Sequence, residues 1–363
     1  RSMAGMRIGF AIGNKELIDA MYAVRNSYNS YTMNMPSILC GVEAVKDRAY
    51  FEKSGGGITV SGGDPMLQWD KVVVLFRKLK EAGIGTYILF QETYHKESYE
   101  QLHPTGPKHN YAYHTEAMDR AMEGGIDDVG LGVLFGLELY KYEFAGLLMH
   151  AEHLEARFGV GPHTISVPRI RPADDIDPND FPNAVTDEVF RRIVAVLRLA
   201  VPYTGMIVST RESQRSRELV LDVGVSQLSG GSKTSVGGYA EGVVDAEESA
   251  QFDISDNRTL DQIVGWLLEL SYIPSFCTAC YREGRTGDRF MTLLKNGQIS
   301  NCCLPNALIT LKEYLNDYAS PETRAKGEAM IKRLWADVPN ERVRTKAGEY
   351  INKIADGERD FRF

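Results

Sequence analysis

Cysteine is scarce in these 363 residues, five in all, and four of the five crowd between positions 277 and 303. That distribution excludes the dispersed, even set of a secreted disulfide scaffold and points to reduced, metal-binding thiols. No run of about eighteen or more apolar residues occurs, so no spanning helix is expected. A charged-then-apolar leader is also missing, and the expected compartment is the cytoplasm. Long basic runs are lacking as well. The formal net charge of −8 is spread over both signs, which argues against nucleic acid or a membrane surface as partner and for a small-molecule substrate. Neither an internal repeat nor a low-complexity tract is evident. What is present is a 43% hydrophobic content, ample for one large barrel or two domains.

From residue 58 to residue 230 short β-rich runs alternate with amphipathic segments. The strand candidates are 58–62, 85–91, 128–136, 163–170, 204–210 and 225–230. Between the fourth and fifth, Val189, Ile193, Val196, Leu197 and Ala200 recur at helical spacing, with Thr186 as N-cap and Asp187 and Glu188 in the first turn. Alternation of this kind implies βαβ crossovers and a parallel sheet, open or closed into a barrel, with chemistry at the strand ends. The stretches 171–185 and 229–248 read as exposed loops. Further on, Thr259 and Gln262 form a capping-box pattern before Ile263, Trp266, Leu267 and Leu270, and Ser320 with Pro321 opens another helix. The tail from about residue 311 is expected to be mostly helical.

Cys277 and Cys280 are separated by two residues, and Cys303 follows after twenty-two more. A CxxC turn points two sulfurs at one metal, and a third thiolate leaves one coordination position open, on iron or on zinc. A structural zinc site, a redox pair and buried thiols remain open on spacing alone. Cys302 is the ambiguous neighbour. Ser209, Thr210 and Arg211 end a strand candidate, where an arginine fork can grip an amino-acid carboxylate. Gln91 and Glu92 end another and are candidates for polar contacts. His163 stands at the start of the fourth strand candidate and, on sequence alone, reads first as an ordinary helix-to-strand loop residue. His150 and His153, one helical turn apart, form a competing pair.

The run FCTACYREGRTGDRFM followed by CLPNA resembles the cluster motif of the HydG-type maturases of iron-iron hydrogenases, radical S-adenosylmethionine tyrosine lyases. The resemblance continues through LKEAGIGTYILFQETYHKESYEQLHPTGPK, AMDRAMEGGIDDVGLGVLFGL, FGVGPHTISVPRIRP and VAVLRLAVPYTGMIVSTRES, covering about residues 79–363. It implies a TIM-like (β/α) radical S-adenosylmethionine barrel, incomplete here, with an α-rich C-terminal cluster-binding domain. It implies cleavage of tyrosine to p-cresol and dehydroglycine, the latter yielding carbon monoxide and cyanide on iron for hydrogenase assembly, alongside other maturation proteins. Cys277, Cys280 and Cys303 would hold a 4Fe-4S cluster whose extra iron takes His163 as ligand. Gly130 and Gly132 resemble the glycines beside which S-adenosylmethionine lies, and Ser209, Arg211, Gln91 and Glu92 would face substrate.

The resemblance also exposes a gap. Such enzymes need a CxxxCxxC loop to hold the radical-generating cluster, and Cys40 is the only cysteine before Cys277. The alternative expectation is therefore an iron-sulfur-binding protein without radical chemistry. Residues 1–51 resemble histidinol-phosphate aminotransferases instead, with Ser2 and Arg7 matching groups near pyridoxal phosphate. The Schiff-base lysine of that motif would precede Ser2, so transamination is not expected. Residues 54–82 resemble the activating enzymes of glycyl-radical enzymes, in which Gly62, Gly63 and Asp64 would hold the amino group of S-adenosylmethionine. The expected divisions are 1–53, 54–240 and 241–363.

Overall fold

The structure, a computed structural model, describes residues 73–74, 76–77, 86–106, 108–172, 177–233 and 254–363. These fall into two compact units, the first reaching Leu228 and including residues up to Asp256, the second formed by Ser229–Gly231 and Asn257–Phe363. The aminotransferase-like segment, the strand candidate 58–62 and Gly62, Gly63 and Asp64 lie outside the described residues.

In the first unit five strands form one parallel sheet: β1 (Thr86–Ile88), β2 (Asp128–Gly132), β3 (Thr164–Ser166), β4 (Gly205–Val208) and β5 (Gln227–Leu228). Each matches a strand candidate but is shorter. Spatial order equals chain order, so the sheet has no switch point at which the winding reverses. A doubly wound sheet needs one, whereas a barrel wall does not. The five strands are therefore the wall of an incomplete (β/α) barrel. Parallel pairing puts Ile88, Gly130, Thr164 and Gly205 in one row, and Gly132, Ser166, Ile207 and Gln227 in the next. The opposite face carries the apolar residues Val129, Leu131, Ile165, Met206 and Val208, all buried. Period-two alternation thus gives this sheet one small-residue face and one apolar face.

The α-helices that accompany these strands include α1 (Lys96–Leu102), α2 (Tyr111–Thr115), α3 (Ala117–Glu123), α4 (Tyr140–Phe158), α5 (Asp187–Ala200) and α6 (Gln214–Leu221). Both α3 and α4 pack on β2. Helix α5 begins as expected, Thr186 accepting from the Val189 N–H. Its buried stripe is Phe190, Ile193, Val194 and Leu197, while Val196, expected inside, is 46% exposed. The stripe is turned because Phe190, the largest apolar residue of the helix, takes the inward position and lies against the Arg169 guanidinium, 4.6 Å from its centroid.

The second unit is helical: α7 (Leu260–Glu269), α8 (Ala279–Arg282), α9 (Gly287–Lys295), α10 (Ser300–Asp317), α11 (Pro321–Leu334) and α12 (Glu341–Ala355). Both halves of the Thr259–Gln262 capping box are made. Ser320 caps α11 by accepting from the Thr323 N–H, with Pro321 in the first turn. Its core joins Val264, Leu268, Leu308, Leu311, Leu315, Met330, Ile331 and Val338. Leu270 caps α7 and is 39% exposed, because the helix ends before a further turn would bring it inward. The tail from residue 311 is mostly helical, as expected; the first of these helices already begins at Ser300, with Cys302 and Cys303 in its first turn.

Candidate functional site

At the C-terminal ends of β1 and β4 the chain turns sharply. Glu92, four residues past β1, has φ +67, a left-handed conformation that costs a non-glycine residue of order 1 kcal/mol. Its carbonyl accepts from the Leu134 N–H at 2.8 Å, and its carboxylate pairs with Lys108. Gln91 is buried, its backbone N–H donating to the Gly132 carbonyl at 2.8 Å and its amide to the Thr115 hydroxyl at 2.9 Å. Past β4, the Ser209 hydroxyl accepts from the Arg211 N–H at 3.3 Å. Burial depresses the Arg211 pKa, and the Glu92 charge opposes that depression. Glu92, Lys108 and Arg211 thus form a charged group at strand C-termini, where a ligand carboxylate and amine would find complementary partners. Lys108 was not singled out from sequence, since it stands sixteen positions beyond its partner and nothing local signals the pairing.

Deeper in the first unit, Gly130 and Gly132 leave room that neighbours use. A Cβ on Gly130 would stand 2.8 Å from both Ile88 and Thr164, and one on Gly132 would stand 2.5 Å from the Phe90 ring. Larger residues cannot enter these positions without moving Ile88, Thr164 or Phe90. Just beyond β4 and β3, Arg169 donates to both Glu212 oxygens at 2.8 and 2.7 Å and also pairs with Asp187, anchoring the strand ends by a buried bidentate fork.

The three histidine candidates separate. His163 stands at the N-terminal end of β3, mostly buried, its N–H bonded to the Val129 carbonyl at 2.8 Å and its Nδ1 3.2 Å from Asp128. His150 and His153 line a cavity of about 440 Å³ with Tyr94, Tyr111, Asp119 and Tyr142. His153 Nε2 lies 2.7 Å from Asp119, and His150 Nδ1 lies 2.9 Å from the Tyr94 hydroxyl. Burial pushes the His150 pKa down to about 4, with Asp119 opposing and His153 adding to the shift. An unfolded chain therefore takes up this proton first. Stability that is whole above pH 6.5 is expected to fall between 6.5 and 4, by ~3 kcal/mol. Urea midpoints across that window should drop in the wild type, and His150→Gln should remove this part of the drop.

In the second unit the cysteines share one neighbourhood. The Cys277 sulfur accepts from the Ala279 N–H at 3.4 Å, the short-range bond expected of a CxxC turn. Burial raises the Cys277 thiol pKa, with Cys280 and Cys302 contributing. Cys303 is pushed up to about 11 by burial and by the charges of Cys280, Cys277 and Cys302, while Arg285 lowers it. By area the Cys303 residue is exposed, so the burial belongs to the sulfur's surroundings rather than to the whole residue. Among the described residues no three histidine, cysteine or acidic groups already stand in metal-ligand geometry. The donor chemistry nevertheless fits an iron-sulfur cluster: Cys277, Cys280 and Cys303 are free thiols, the donor type such clusters take, and each would give up its proton on binding iron.

A crystal structure of HydG, a maturase of the iron-iron hydrogenase, superimposes with a TM-score of 0.76 at 56% identity, covering 80% of this chain and 63% of that one. Over most of its length the chain is HydG-like. A second HydG, from Carboxydothermus hydrogenoformans, gives a TM-score of 0.63 at 41% identity, covering 77% of this chain and 60% of the other. The HydG-like part also contains a match to the Biotin and Thiamin Synthesis associated domain over residues 166–273. The 2-iminoacetate synthase of Escherichia coli (strain K12) is 31% identical over 196 residues, 53% of this chain and 50% of that protein. The chain thus spans about half the length of the curated synthases it matches. Alongside the HydG-like part, 53 residues are 57% identical to the histidinol-phosphate aminotransferase of Clostridium botulinum (strain Okra / Type B1), 15% of each chain. No described helix is long and apolar enough to cross a membrane.

Proposed function

We propose that this chain is a HydG-like maturase whose second unit binds an iron-sulfur cluster through Cys277, Cys280 and Cys303, with His163 as ligand of an extra iron. The observation that supports this reading is the likeness to a HydG structure, at 56% identity over 80% of this chain. The reaction is tyrosine cleavage to p-cresol and dehydroglycine, giving carbon monoxide and cyanide on iron for hydrogenase assembly, with the other maturation proteins as partners. In it Arg211 grips the tyrosine carboxylate, Ser209 and Gln91 orient the bound amino acid, and Glu92, held by Lys108, meets its ammonium. S-adenosylmethionine would lie along Gly130 and Gly132 and at Gly62, Gly63 and Asp64, and the radical chemistry it supplies would need a 4Fe-4S cluster toward which this chain offers Cys40 alone ahead of residue 277.

A second reading rests on one observation, the single cysteine Cys40 ahead of residue 277. One thiolate cannot hold a radical-generating cluster that needs three. On that reading the chain binds a cluster at Cys277, Cys280 and Cys303 and performs no lysis by itself. Anaerobic reconstitution with iron and sulfide, followed by iron counting and a p-cresol assay with tyrosine, S-adenosylmethionine and reductant, separates the two. Iron for two clusters with p-cresol release carries the lyase. Iron for one cluster without p-cresol carries the binding protein, and no iron at all overturns both.

A further inference from the structure

Helix α8, which carries Cys280, ends in a tight reversal at Gly284, with φ +60. The N–H of Arg285 then reaches back to the Cys280 carbonyl at 2.7 Å, the six-to-one bond of a Schellman turn. This bond ties the arginine backbone to a proposed ligand residue. The far end of the side chain is held as well, Nη2 donating to the Phe363 carbonyl, which is fixed in turn because the Phe363 N–H donates to Asn306 at 2.9 Å. Between these anchors the Arg285 Nε–H is buried and has no hydrogen-bond partner among the described residues. Other buried arginine Nε atoms, that of Arg171 among them, also have no hydrogen-bond partner among the described residues, but of these arginines Arg285 is the one whose backbone bonds to a cysteine of the CxxC pair, which puts a ligand-side acceptor within its reach. The same guanidinium lies within electrostatic range of Cys277 and Cys303.

We propose that Arg285 is a positioning residue for the cluster site, its Nε–H donating to a thiolate or sulfide of an iron-sulfur cluster at Cys277, Cys280 and Cys303 and its charge favouring the reduced cluster. The inference rests on the cluster reading above and goes beyond it by giving a role to a residue that is not a ligand. A fixed positive charge and an N–H to sulfur both stabilise the more negative, reduced form, and so raise the reduction potential. The nearby Arg282 is engaged differently, pairing with Asp360, and Arg289 donates to the Glu283 and Gly284 carbonyls at 3.4 and 3.3 Å. Neither is placed to substitute.

The test is a redox titration of the reconstituted full chain, followed by electron paramagnetic resonance, with iron counted in each sample. Arg285→Met should keep its iron and lose about tenfold in preference for the reduced cluster, a downward shift of about 59 mV for one electron. Arg285→Lys, which keeps the charge, should stay closer to wild type. An unchanged potential in Arg285→Met overturns the proposal while leaving the cluster reading intact; a wild-type chain that takes up no iron overturns both. Should Arg285→Met fail to hold iron, Arg285→Gln reads the potential under the same criteria. Loss of iron from both neutral variants with retention in Arg285→Lys supports the role of charge, and loss from all three overturns it as a merely structural effect.

Discussion

Replacing Cys277 and Cys280 together by alanine is expected to abolish iron uptake by the second unit while leaving its helical fold in place. The expectation has two parts. Cys277 and Cys280 are half-buried, and the apolar cluster of Val264, Leu268, Leu308, Leu311, Leu315, Met330 and Ile331 does not include them. Only the Ala279 N–H bond to the Cys277 sulfur is lost, a weak contact. Binding, in contrast, loses two of three proposed thiolate ligands, and Cys303 alone cannot hold a cluster. Reconstituted iron per chain and far-ultraviolet circular dichroism measured on the same sample check both halves. Cys302→Ala is the matching control and should retain its iron, since Cys302 is outside the proposed ligand set. Wild-type iron in the double variant would sink the cysteine assignment.

The largest stability effect is expected at Asp256. Its carboxylate pairs with the Arg217 guanidinium, and both side chains are essentially removed from solvent, Arg217 at 0% and Asp256 at 4% exposure. The Asp256 N–H also donates to the Thr210 carbonyl at 3.1 Å, beside the strand end that carries Ser209 and Arg211. Removing one partner of a buried pair strands the other charge in a low-dielectric place, which costs ~3–5 kcal/mol. Asp256→Ala should therefore lower the urea midpoint of the first unit sharply. Replacing both partners by apolar residues of similar volume, Arg217→Met with Asp256→Leu, should recover most of that loss, because no uncompensated charge then remains. A single variant as stable as wild type would show that water reaches the pair.

Much of this architecture was legible because it is written in short-range signals. Thr186 ahead of Val189, and Thr259 ahead of Gln262, announce helix starts through bonds that span three residues, and both are made. The parallel strands follow from apolar runs at residues such as Val129, Leu131 and Ile165, although pairing survives over only two to five residues of each run. Paired distances across the chain left no such trace. Lys108 meets Glu92, and Arg169 meets Glu212 across 43 positions, only once the sheet has brought strand ends side by side. Glu92 itself gave no warning of a positive φ, since glutamate is not a residue that prefers it. The face of α5 was misassigned by one position, with Val196 outward and Phe190 inward, because spacing fixes a stripe's period more firmly than its centre. Arg285 was visible as a residue of the cysteine stretch, but its bond to Cys280 depends on the backbone reversal at Gly284.

The cysteines occupy a short span of chain inside a unit made wholly of helices. Bringing Cys280 to Cys303 requires closing a loop of only twenty-two residues, for which the entropic cost grows slowly with length. Each neighbouring pair of strands in the parallel sheet must instead wait for a complete crossover, such as the one between Ile88 and Asp128. Low contact order makes the first process fast and the second slow. Closure of the cysteine loop is therefore expected to precede completion of the barrel wall, and on the proposed cluster reading the thiols would meet iron and sulfide in a partly folded chain.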